Sequence, residues 1–188
     1  MTAVCRRAGF PDLVVPSESA EQRGHVARMK ALARTRPGLE TLHAIPNGGS
    51  RKPIEAAIMK AEGVESGYPD LALDQPSHGY HGLRIEMKRA AFGLESASKW
   101  GAISMEQLSW IMRLSQAGYY ATVCRGGRHA DAVTLAYLDG DFAALRRLES
   151  WWLETDLPRY IKVPAKKKAA KRSGAARVPT KPTRRRYG

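Results

Sequence analysis

The chain has 188 residues and a hydrophobic content of 43%, which is enough for one domain with a buried core. The sequence has no apolar run of roughly 18 residues and no apolar leader, so neither a membrane span nor a membrane partner is expected. The net charge is +13, and the two cysteines offer no disulfide framework and no zinc-ligand spacing, which indicates a reducing, cytoplasmic setting.

The positive charge is concentrated at the C-terminal end. Residues 162–188 contain 11 Lys and Arg and no acid, which leaves a net charge of +2 for residues 1–161. A segment so poor in large apolar side chains is predicted to be a disordered basic tail. Such an arm binds phosphate backbones without reading sequence, and the alternative is a solubilising tail or a localisation signal.

One domain is predicted over residues 17–161, after a loose lead-in over residues 1–16. The order of its helices and strands predicts an α/β fold, with a mixed sheet and helices on its faces. In chain order, periodicity and turn residues predict a helix over 18–35, a strand over 40–45, a turn at 46–49, a helix from 53 to a stop at 63, strands over 70–73 and 80–88, a loop over 89–103, a helix after 104, a strand over 119–124, and helices near 129–138 and 141–153.

Capping residues mark the start of two of these helices. Ser17 or Ser19 can cap the first helix, and Ser104 with Gln107 forms a capping box at a later one. Glu18 and Glu21 fall in the first turn of the first helix, where negative charge favours the helix dipole. These polar residues therefore have a structural explanation beside any functional one.

Two carboxylates and one ammonium group occur on neighbouring predicted strands. Asp70 opens one apolar run, and Glu86 and Lys88 close the next. Because side chains alternate faces in a strand, Glu86 and Lys88 project on the same side. If the strands pair, Asp70 and Glu86 can share one hard divalent cation such as Mg²⁺. The alternative is a solvated strand end with a surface ion pair.

Further motifs accompany this trio in a fixed order along the chain. Together they resemble the virus-type replication-repair nuclease (VRR-NUC) domain, of the PD-(D/E)XK nuclease superfamily, over roughly residues 17–138. The segments that carry the resemblance are Ile45–Arg51, Ala57–Lys60, Gly63, Gly67, Pro69–Leu71, Gly82–Lys88, Ser104–Trp110 and Gly118–Tyr119.

The resemblance implies a restriction-endonuclease-like mixed β-sheet flanked by helices on both faces. It further implies hydrolysis of DNA phosphodiesters with Mg²⁺ or Mn²⁺, by homodimers that act on branched DNA such as four-way junctions. Two alternatives stay open: a non-catalytic DNA-binding protein built on a nuclease fold, and a nuclease of RNA or of DNA ends.

The resemblance also implies roles for individual residues. Asp70 and Glu86 would hold the cation with the backbone carbonyl of Met87, and Lys88 would orient or deprotonate the attacking water. Two further residues are expected near the reacting phosphate. One is Gln107. The other is Glu21, the acid of the first helix, which would bind the metal through a water molecule; Glu18 is the alternative to Glu21.

Contacts to DNA are expected from the turn at 46–49 and from the residues that follow it. The glycines there would let the backbone approach DNA, although a tight turn alone would also require them. Isolated surface cations contact phosphates without specificity. The predicted nucleic-acid residues are Asn47, Gly48, Gly49, Arg51, Lys52 and Lys60.

Overall fold

A computed structural model of the chain describes residues 3–5, 13–46, 53–90, 103–150 and 161–162. Eight strands, five α-helices and one short 3₁₀ helix (Leu39–Thr41) are defined in these segments. The strands are β1 (Ala3–Cys5), β2 (Leu13–Val15), β3 (Leu42–Ala44), β4 (Leu71–Leu73), β5 (Leu83–Lys88), β6 (Ile103–Ser104), β7 (Tyr120–Arg125) and β8 (Ile161–Lys162). The helices are α1 (Glu18–Leu32), α2 (Pro53–Ala61), α3 (Met105–Gln116), α4 (Gly126–Asp139) and α5 (Phe142–Ser150).

A four-stranded mixed sheet forms the centre of the fold, in the order β3-β4-β5-β7. The pairs β3–β4 and β4–β5 are antiparallel, and β5 and β7 are parallel. Parallel neighbours need a crossover connection, and α3 supplies it between β5 and β7. The predicted α/β class with a mixed sheet is confirmed.

Strand β5 is buried along its whole length and separates the two faces of the sheet. Successive side chains of β5 point to opposite faces. Leu83, Ile85 and Met87 enter the main core, which α1, α4 and α5 also line. Arg84, Glu86 and Lys88 point to the opposite face, where α3 packs on β7. The sequence thus places three charged side chains on the α3 face of a fully buried strand.

The predicted elements between residues 18 and 150 are present, and the differences lie at their ends. Helix α1 begins after the Ser17 cap, whose hydroxyl accepts a hydrogen bond of 3.2 Å from the Ala20 amide. Helix α4 begins at Gly126, three residues before the predicted start near 129. The first turn was missed because its two glycines have low helix propensity. No helix in the described segments is long and apolar enough to cross a membrane.

Both ends of the chain contain strand pairing that the sequence reading did not predict. Within the predicted loose lead-in, β1 pairs with β2 in antiparallel register. Strand β8 pairs in parallel with β6, so paired backbone extends to Lys162, the first residue of the predicted tail. These strands have only two or three residues, too few for a periodic pattern to predict them.

Candidate active site

The sheet register brings the two predicted metal carboxylates together. Leu71 of β4 lies opposite Ile85 of β5, so one further step places Asp70 opposite Glu86. Asp70 is fixed on both sides, because its carbonyl accepts from the Ile45 amide at 2.8 Å and its Oδ2 accepts from the Met87 amide at 2.8 Å. Opposite residues of an antiparallel pair have Cβ atoms about 5 Å apart, which suits two ligands of one cation.

Glu86 is almost completely buried, with 2% of its surface exposed. Its Oε1 accepts hydrogen bonds from Lys88 Nζ at 2.7 Å and from Gln107 Nε2. Burial raises the pKa of Glu86 to about 8, although Lys88 opposes this rise, and the negative charge of Asp70 adds to it. A carboxylate held in this way gains strongly from a further positive charge.

The side-chain amide of Gln107 both caps helix α3 and contacts the candidate site. Its Oε1 accepts from the Ser104 amide at 2.9 Å, while its backbone amide donates to Ser104 Oγ at 3.2 Å, which completes the capping box of α3. Its Nε2 donates to Glu86. The cap and the contact with the site, which the sequence offered as two readings of Gln107, are both present.

The two acids of helix α1 reach different places. Burial raises the pKa of Glu18; Lys88 opposes this rise and Asp70 adds to it, so Glu18 lies within electrostatic range of the site. The carboxylate of Glu21 instead accepts a hydrogen bond of 2.7 Å from the Gly127 amide, at the start of α4. The metal and catalytic role of Glu21 stays a prediction, and Glu18 is the α1 acid within electrostatic range of Asp70 and Lys88.

A divalent cation fits the donor set formed by Asp70 and Glu86. No cluster of three or more His, Cys, Asp or Glu side chains in the described segments has a metal-holding arrangement. Mg²⁺ commonly uses one or two carboxylates and keeps several waters, so two carboxylates are sufficient. The Met87 amide points toward Asp70, and the N–H and C=O groups of one strand residue point to the same side. The Met87 carbonyl, which is the predicted third ligand, therefore also faces Asp70.

Most of the predicted nucleic-acid residues lie outside the described segments. They are Asn47, Gly48, Gly49, Arg51 and Lys52. Lys60 is exposed in the last turn of α2, where it lines a cavity that residues of α3 also line. The predicted loop is described only at its ends, at residues 89–90 and 103.

Sequence reasoning assigned no role to two features beside the site. Arg89 Nε donates to the Pro16 carbonyl at 3.0 Å and so holds the start of α1 against the end of β5. A cavity of about 720 Å³ lies between α2 and α3, with Trp110 in its wall. Trp110 follows Gln107 by one helical turn, and this spacing was the signal in the sequence that could have placed Trp110 on the same side of α3 as Gln107.

An α/β sheet that places an aspartate opposite a Glu-x-Lys strand is a nuclease-like fold of the kind that the VRR-NUC resemblance predicts. The family model described as the VRR-NUC domain matches residues 17–128, and the chain belongs to this family. The chain is also similar to a solved structure titled "VRR_NUC domain protein", with 30% identity over 68% of this chain and 92% of that chain and a TM-score of 0.52. No curated protein matches the chain. Membership of this family implies a nuclease-type function.

Proposed function

We propose that the protein is a divalent-metal-dependent DNA endonuclease that is selective for DNA shape, with branched DNA such as four-way junctions as its substrate class. The observation that supports this most is the position of Asp70 opposite Glu86, with Lys88 Nζ 2.7 Å from Glu86 Oε1. Lys88 thus contacts Glu86 directly, and Asp70 lies opposite Glu86 on the neighbouring strand, as a metal-dependent phosphodiesterase site would require. A decayed, non-catalytic fold would have no need to keep this costly buried charge cluster.

The residues of the site divide the work of phosphodiester hydrolysis. Asp70 and Glu86 would hold Mg²⁺ or Mn²⁺, with the Met87 carbonyl as a further ligand and Glu18 as a partner through water. When bound, such a cation stabilises charge on the phosphate oxygens and makes a bound water more acidic. Lys88 holds its ammonium group beside Glu86, where it would orient the attacking water and offset the charge that develops on the phosphate.

Affinity for DNA would come mainly from charge. Residues 162–188 carry most of the net charge of +13, and Lys60 adds an exposed cation at the cavity that α3 also lines. Contacts of this type release counterions from the phosphate backbone and read no sequence. Selectivity for branched DNA by a homodimer is carried over from the family resemblance, and an intracellular location agrees with such a substrate.

The test of this function is cleavage with Mg²⁺ or Mn²⁺ on linear duplex, flap, four-way junction and RNA substrates, with Asp70→Asn as the control. Asparagine can still accept the hydrogen bond from the Met87 amide, so the strand end should keep its geometry. We expect cleavage of branched DNA to fall by at least about a hundredfold in the variant, while DNA affinity stays within a few-fold. Equal cleavage by both proteins would overturn the proposal, and preferred cleavage of RNA would redirect it to the alternative substrate.

A further inference from the structure

The cavity between α2 and α3 is joined to the candidate active site by the first turn of α3. Glu106 lines the cavity, and the next residue, Gln107, donates to Glu86. Gly67 packs its backbone against this turn with a φ of +80°, and a Cβ there would lie 2.8 Å from the Glu106 Cβ. Only glycine fits this close approach, so the segment before Asp70 and the start of α3 are held together.

The wall of the cavity contains a surface suited to stacking. Trp110 is half-buried, and the centroid of the Tyr68 ring lies 5.0 Å from its own, at 60°. The guanidinium carbon of Arg113, an exposed residue, lies over the Trp110 ring at 5.3 Å from its centroid. Nucleobases stack on aromatic rings and on the guanidinium plane of arginine, so the exposed guanidinium of Arg113, backed by the Trp110 ring, forms a platform for one base.

The remaining lining complements a nucleotide. Lys60 and Arg113 supply positive charge for a phosphate, while the carboxylates of Glu65 and Glu106 can accept hydrogen bonds from amino groups on a base edge. The volume of about 720 Å³ is in the range of small-ligand pockets and is too small for a stacked duplex. A base must therefore leave the helix, or be unpaired already, to enter.

We propose that this cavity binds one unpaired nucleobase of the DNA substrate, next to the phosphate that is cleaved, with Trp110 and Arg113 as its stacking platform. The location of that phosphate depends on the proposed function. Trp110 follows Gln107 by three residues, or about 4.5 Å along the helix axis. The site would select DNA with an unpaired nucleotide beside a branch or a fork.

The test measures binding without cleavage, in the full-length chain carrying Asp70→Asn. The probe is a forked DNA with the fluorescent base 2-aminopurine at the first unpaired position, and a blunt duplex of equal length is the comparison. We expect the fluorescence of the forked probe to fall on binding, because stacking of the base on the platform formed by Arg113 and Trp110 quenches it. Adding Trp110→Ala should remove the quenching and weaken fork binding about ten- to hundredfold, with a much smaller loss on the duplex.

Two further variants keep this result interpretable. Met112→Ala removes an exposed side chain from the same helix without touching the cavity lining, and it should bind the fork like the parent. Arg113→Ala removes half of the platform from an exposed position and should weaken fork binding several-fold without a risk to folding. A thermal melt of each variant shows which losses reflect unfolding.

The inference is overturned if the Trp110→Ala and Met112→Ala variants bind the fork equally, or if 2-aminopurine fluorescence does not change in the parent. A forked RNA bound more tightly than forked DNA would overturn the assignment to DNA. Free deoxyadenosine monophosphate bound as tightly as the fork would overturn the assignment to a polymer. Absence of metal-dependent cleavage in the protein with Asp70 would overturn the proposed function and leave this binding result intact.

Discussion

The side-chain amide of Gln107 joins the capping box of α3 to the buried carboxylate of Glu86. The same group satisfies the Ser104 amide with its oxygen and the carboxylate with its nitrogen. Helix α3 is therefore fixed to the site by its first turn, and any shift of that turn moves a donor away from Glu86. The predictions below separate contacts that stabilise the fold from contacts that would serve the reaction.

The two functions of Gln107 can be separated with Ser104→Ala as the matched variant. Both Ser104→Ala and Gln107→Ala break the capping box and should lower the free energy of unfolding by about 0.5–2 kcal/mol. Only Gln107→Ala removes the hydrogen bond to Glu86, and we expect it to lower kcat at least about tenfold beyond the loss in Ser104→Ala. Urea unfolding and cleavage kinetics measure the two effects. Equal kcat values for the two variants would limit Gln107 to its capping role.

The acids of α1 are distinguished by the isosteric pair Glu18→Gln and Glu21→Gln. Glu18 lies within electrostatic range of Asp70 and Lys88, so its amide variant should weaken Mn²⁺ binding and cleavage about 10- to 100-fold. Glu21 accepts from the Gly127 amide, so its variant should cost about 0.3–1 kcal/mol of stability, with little effect on metal binding. Calorimetric titration with Mn²⁺ compares them, and the reverse order would favour the role predicted for Glu21.

A cation held between Asp70 and Glu86 should stabilise the folded protein. At a free Mn²⁺ concentration about 100 times the dissociation constant, the expected gain is about 2.7 kcal/mol. This corresponds to a rise in Tm of several degrees, on the order of 5–10 °C. Scanning calorimetry with and without EDTA measures it, and Asp70→Asn should show little of the rise. A shift of the same size in both proteins would place the stabilising ion elsewhere.

Stability at acidic pH should depend on His25, which is fully buried between α1 and α4. Its Nδ1 lies 2.8 Å from Asp131 Oδ1, and Arg28 Nε donates to Asp131 Oδ2 at 2.6 Å. Burial lowers the pKa of His25, and the hydrogen bond and charge of Asp131 only partly offset this. The unfolded chain therefore binds the proton first, and the free energy of unfolding falls as pH drops below about 6.5.

The measurement is urea unfolding from pH 7.5 to pH 5 for the parent protein and for His25→Asn, whose amide can still donate to Asp131. The variant should be less stable at pH 7.5 and should show a flatter decline toward pH 5. His129, whose pKa burial also lowers, remains in both proteins and contributes the same slope to each. An unchanged slope would mean that groups other than His25 carry the acid sensitivity.

Much of the fold could be predicted because local patterns agree with the tertiary result. The capping box of Ser104 and Gln107 predicts the start of α3. The alternation of side chains along β5 predicts that Glu86 and Lys88 share a face. The exceptions are places where partners distant in sequence decide the outcome. Helix α4 begins at two glycines because Glu21, more than a hundred residues earlier, accepts from the Gly127 amide.

The sequence by itself determined the α/β class, the family resemblance and the residue types of the site, because periodicity, caps and motif order are local properties of the chain. Only the tertiary structure decided that Asp70 lies opposite Glu86, that Glu21 accepts from the Gly127 amide while Glu18 lies within electrostatic range of Asp70, and that Trp110 lines a cavity joined to them by the first turn of α3. The physical reason is that register and helix packing follow from burying the whole apolar surface at once. No local pattern encodes which side chains then become neighbours.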